Sequence, residues 1–139
     1  MARALCAFLH RADVPTRAAL QPALDALKLR VTLDDGYVPL KSSGYLPCTL
    51  DGEDAGFTVR FHDVDAALDA MPNLKTALDG RDVAMDLKWS GDVREKVSAL
   101  AVCAALAGSF GAIVHEAEGD KVLTTAQLTA RAREGLEEL

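Results

Sequence analysis

The stretch from Val93 to Ala107 restricts what this chain can fold into more than any other. Val93, Val97, Leu100, Ala101, Ala104 and Ala107 recur at spacings of three and four, which makes one apolar stripe along a helix. Val102, Cys103, Ala105 and Leu106 widen the stripe until only the first turn, with Arg94, Glu95 and Lys96, is polar. A helix that is apolar on nearly all sides must be covered on nearly all sides. Its cover has to come from other elements of the chain or from a second copy.

The small residues of this helix permit close approach to a sheet or a second helix. Val83 to Trp89 alternates apolar and polar positions, the period of a strand with one face on a core, and places Asp86 and Lys88 outward. Asp92, followed three residues later by Glu95, has the form of a helix N-cap with a capping-box partner, so a helix is predicted from Val93. Gly108-Ser109-Phe110-Gly111 stops it, because glycine accepts the left-handed geometry of helix ends. Ala112 to His115 and Lys121 to Leu123 flank a polar, glycine-containing turn and are predicted to form a short hairpin.

Ahead of this unit, Ala2 to Leu9 reads as a strand, and Asp13 or Thr16 can cap a helix carrying Leu20, Ala23, Leu24 and Leu27. Pro22 is awkward there, since proline removes a main-chain donor, and it predicts a regular helix only from near Gln21. Arg30 to Leu33 is a short strand, and Tyr37 to Leu46 is a loop or an irregular edge. Leu46 to Leu50 and Phe57 to Phe61 form a hairpin joined through Asp51 to Gly56, with Phe57, Val59 and Phe61 on one face and Thr58, Arg60 and His62 on the other. Asp63 is placed to cap a short helix, Val64 to Met71, and Asn73 to Leu78 adds a further turn. At the C-terminal end, Thr124 and Gln127 repeat the capping-box pattern before a helix striped with Leu128, Ala132 and Leu136. The element order predicts a single α+β domain over residues 1–139, with helices packed on an antiparallel or mixed sheet.

Half of the 139 residues are hydrophobic, enough to bury a core without disulfides or metals. Cys6, Cys48 and Cys103 are widely spaced and odd in number, which indicates neither a disulfide framework nor a zinc ribbon; Cys48 is the one to test for reactivity. No run reaches the length of a membrane helix and the apolar start is too short for a signal peptide, so the expected location is cytoplasmic, away from membranes. The net charge of −6 argues against a nucleic-acid binder. It is unevenly spread: Met1 to Leu33 sums to +3, Asp34 to Asp82 to −6 and Val83 to Leu139 to −3. An acidic middle third of that kind can steer a basic partner onto the surface.

Catalytic signatures do not emerge. His10, His62 and His115 belong to no metal-binding pair, and His115-Glu116 lacks the spacing and the cysteines of a deaminase site. Asp51, Glu53 and Asp54 do not follow the order of a calcium loop. No catalytic residue, metal or cofactor is therefore expected. The surface singled out is the segment from Asp34 to Asp54, where Tyr37 and Tyr45 stand among Asp34, Asp35, Asp51, Glu53 and Asp54, a mixture of aromatic anchors and charge suited to a protein interface.

Gly44-Tyr45-Leu46-Pro47 before a turn, Gly56-Phe57 opening a strand, Trp89 before a capped alanine-rich helix, and Gly111 to Glu116 leading into a hairpin together resemble small bacterial proteins of the toxin-immunity type. The resemblance spans roughly the last hundred residues. It implies a non-enzymatic cytoplasmic protein that neutralises a cognate toxin by covering its active site or substrate-binding face, and the acidic middle third adds the expectation that the toxin surface met is basic. Two other readings stay open: a small enzyme or ligand-binding domain assembled from distant residues such as Arg60, His62 and Cys48, and a self-associating subunit or homodimer with the helix from Val93 to Ala107 buried between protomers.

Overall fold

The computed structural model describes residues 3–64, 74, 76, 78–116 and 121–139. Among the described residues seven strands make one sheet: β1 (Ala4–Leu9), β2 (Val31–Leu33), β3 (Ser43–Leu50), β4 (Glu53–Asp63), β5 (Val83–Lys88), β6 (Ile113–Glu116) and β7 (Lys121–Leu123). Their spatial order is β2-β3-β4-β5-β1-β6-β7, and every neighbouring pair is antiparallel. Three helices, α1 (Arg17–Ala26), α2 (Val93–Ser109) and α3 (Thr125–Glu137), pack with the sheet as an α+β domain. Leu74, Thr76 and Leu78 are also helical.

Alternation along the strands sets the two faces. Leu5, Ala7, Leu46, Cys48, Phe57, Val59, Met85, Leu87 and Val114 are buried against the helices in one core. α2 lies at its centre, touching β4, β1, β3 and β6 beneath and α1 and α3 beside it. Every residue from Val97 to Leu106 is buried. The all-round apolar helix is thus covered within its own chain, and no second protomer is needed to bury it. A smaller core on the reverse face joins Phe8 and Ala84 to Leu74 and Leu78, with Cys6, Val64 and Ile113 alongside.

Local signals explain most boundaries and correct three expectations. Helix α1 begins at Arg17, not near Gln21: Thr16 caps it by accepting from the Ala19 N–H, and Pro22 sits inside it. Burial of Leu20 and Leu24 outweighs the one donor that proline withholds. The β3–β4 connection is Asp51-Gly52 alone, with φ of 53° and 82°, the left-handed pair of a two-residue hairpin turn. Glu53 and Asp54 therefore belong to β4, where they pair with Leu50 and Thr49. Asp92 caps α2 through the Arg94 N–H, but Glu95 closes no box with it; its carboxylate reaches the main-chain and side-chain donors of Ser90 instead. The box at Thr124 and Gln127 is complete. The proposed Asp63-capped helix falls largely outside the described residues.

Candidate functional site

Two polar surfaces flank the core, and the acidic one occupies the β2–β3 end of the sheet. Asp34, Asp35 and Asp54 border a cleft of about 340 Å³ that also takes in Arg17, Thr49 and Pro47. Asp34 and Pro47 continue into a second depression of about 320 Å³, bordered by Tyr45, Gly44 and Ser43. Tyr45 is 57% exposed yet fixed: its hydroxyl donates to the Ala55 carbonyl at 2.9 Å and lies 3.5 Å from the Glu95 carboxylate, and its ring end rests where a side chain at Gly56 would be. An immobilised, exposed aromatic has little rotamer entropy left to lose on binding.

The carboxylates are unequal. Asp51 meets Arg30 at 3.3 Å and Glu53 meets Arg94 at 2.8 Å in solvent-exposed pairs that a competing cation can replace at small cost, while an exposed Asp35 meets a half-buried Arg17 at 3.4 Å. Asp34 accepts the Gly36 N–H at 2.8 Å, which shapes its own loop. Among the described residues Asp34 and Asp54 carry no ion pair, so the free negative charge of this surface is concentrated on them.

Tyr37 is not exposed on this surface. It is 3% exposed, packs against Phe61 at a ring separation of 6.4 Å and donates its hydroxyl to the Pro15 carbonyl, so it pins the loop to the start of α1. Burial pushes its phenol up to about 12. Its apolar ring gains more from the core than from solvent, and the polar neighbours that suggested exposure lie beside it in sequence only.

The second surface is a row of partners across the reverse face. Ser43, Arg60, Asp86, Cys6, His115 and Val122 are successive cross-strand neighbours from β3 to β7. His62 Nε2 lies 2.8 Å from Asp86 Oδ2, and the Cys6 thiol hydrogen-bonds the same carboxylate. Burial, then the Asp86 charge, pushes the Cys6 thiol up, which holds it as a neutral donor and a poor nucleophile. Arg60 and His62 share this face, but Cys48 points the other way into the helix-side core, so the three do not assemble into a site. Burial raises the Cys48 and Cys103 thiols as well. No sequence motif marked Cys6, Asp86 and His115 as neighbours, because only strand order brings them together.

Among the described residues no three histidine, cysteine or acidic side chains are arranged to hold a metal ion, and no helix is long and apolar enough to cross a membrane. Comparison with protein-family models, curated proteins and solved structures found no match to this chain.

Proposed function

We propose that this chain is a non-enzymatic protein-binding module of the immunity type, which neutralises a basic bacterial toxin domain by covering it with the β2–β3 end of its sheet. One observation carries the reading: an exposed, hydrogen-bonded Tyr45 borders a depression that continues through Asp34 and Pro47 into the cleft of Asp34 and Asp54, the carboxylates that carry no ion pair among the described residues. A rigid aromatic anchor inside a charged rim is the pattern of binding hot spots. The paired carboxylates, Asp35, Asp51 and Glu53, form the outer rim, where a partner's Arg or Lys exchanges for Arg17, Arg30 or Arg94.

The partner to test is the product of the neighbouring gene, captured on the purified chain and assayed for toxicity on co-expression. Binding together with protection supports the proposal; absence of either removes it. Within a positive result, Tyr45→Ala is expected to weaken affinity by about tenfold or more through faster dissociation.

A further inference from the structure

An edge strand exposes a line of main-chain donors and acceptors, and β2 is one of the two edges of this sheet. Its inward side is paired with β3: the Arg30 carbonyl accepts from the Asp51 N–H, and the Asp34 N–H donates to the Pro47 carbonyl. Its outward side is occupied by side chains of α1. Gln21 donates from Nε2 to the Val31 carbonyl and accepts at Oε1 from the Leu33 N–H, both at 2.9 Å. Arg17 donates from Nε and Nη2 to the Leu33 carbonyl at 3.0 and 2.8 Å.

The Gln21 amide offers the same donor and acceptor as a peptide unit, at the place where the next strand would put one. Its orientation is dictated by its partners. The Val31 carbonyl and the Asp25 carboxylate, which also meets Nε2 at 2.9 Å, can only accept, while the Leu33 N–H can only donate. Asp25 is one helical turn beyond Gln21 and holds the amide in that pose. Arg17 is braced in turn by Asp35.

We infer that α1 seals the β2 edge, with the Gln21 side chain standing in for a peptide group of a neighbouring strand, and that the seal prevents this edge from pairing with β2 of a second copy. A second copy is the occupant the geometry would fit. Antiparallel pairing about Thr32 sets Val31 opposite Leu33 of the other chain, and the groups now held by Gln21 are those that would exchange bonds.

The test compares the full chain with Gln21→Ala and with Arg17→Ala/Gln21→Ala. Hydrogen exchange at the Leu33 amide is expected to accelerate by about tenfold or more in Gln21→Ala. Light scattering is expected to show the double variant, folded by circular dichroism, gaining mass with concentration toward a dimer while the parent does not. A Leu33 amide that exchanges as slowly in Gln21→Ala as in the parent, or a folded double variant whose mass tracks the parent at every concentration, overturns the inference. If the double variant does not fold, the Leu33 exchange rate in Gln21→Ala decides, since Arg17 still holds the Leu33 carbonyl and keeps part of the seal in place.

Discussion

Gly135 of α3 faces Val97 of α2 so closely that a methyl group added there would collide with a Val97 methyl. Val97 is fully buried and β-branched, hence unable to swing aside. Gly135→Ala should therefore destabilise the fold despite alanine's better helix propensity: overpacking costs ~1 to 3 kcal/mol against a gain of ~1. Urea titration checks this, and Val97→Ala combined with Gly135→Ala should cost less than the two single changes together. Cys103 gives a residue-scale pH prediction. Burial pushes its thiol up to about 12 from 9.0, so between those values the unfolded state is ionised while the folded state keeps its proton. The unfolded state then binds fewer protons, and stability present below pH 9 is lost progressively as pH rises toward 12. The fall in urea midpoint between pH 8 and pH 10 should be smaller in Cys103→Ala.

For the elements, caps were legible and interruptions were not. Thr16, Asp92 and Thr124 cap their helices through side-chain oxygens, as short polar residues before an apolar period should. Thr124→Ala, which breaks the full capping box, is expected to cost ~1 kcal/mol in thermal or urea unfolding. Pro22 was misread because propensity is local: it argued for a late helix start, whereas Leu20 and Leu24, on either side of it, hold α1 on the core from Arg17 onward. Pro22 is itself exposed, so Pro22→Ala restores a helical donor and loses little packing. It should raise stability by ~1 kcal/mol or more. The β3–β4 hairpin was legible from Asp51-Gly52, but its strands run longer than their apolar alternation suggested. Exposed Glu53, Asp54 and Ser43 are held in the ladder by their neighbours rather than by burial.

At the scale of the whole molecule, charge is separated from chemistry. The acidic surface sits at one end of the sheet, whereas the Cys6, Asp86 and His62 network lies on the reverse face. If the proposed partner is basic, Asp34→Lys/Asp54→Lys should slow association by about tenfold at low salt and flatten its ionic-strength dependence, with a smaller change in dissociation. Stopped-flow binding separates the two rates. Loss of binding at all salt concentrations, with stability unchanged, would instead assign these carboxylates to direct contacts.

The order of residues by itself determined the alternation of β2, β4 and β5, the N-cap residues of α2 and α3, the Asp-Gly turn and the burial demanded by α2, because each depends on neighbours within one or two turns of chain. It also determined that Arg60 and His62 share a face, since alternation is a property of one strand. Only the tertiary structure decided that β1 would lie between β5 and β6, and from that choice follow the neighbours of Cys6. It likewise decided that Tyr37 would be buried while Tyr45 stays exposed, and that Gln21 would close an edge. Those outcomes depend on which distant segments pair and what they cover, and strand pairing is selected by the burial of the whole sheet rather than by any one strand's pattern.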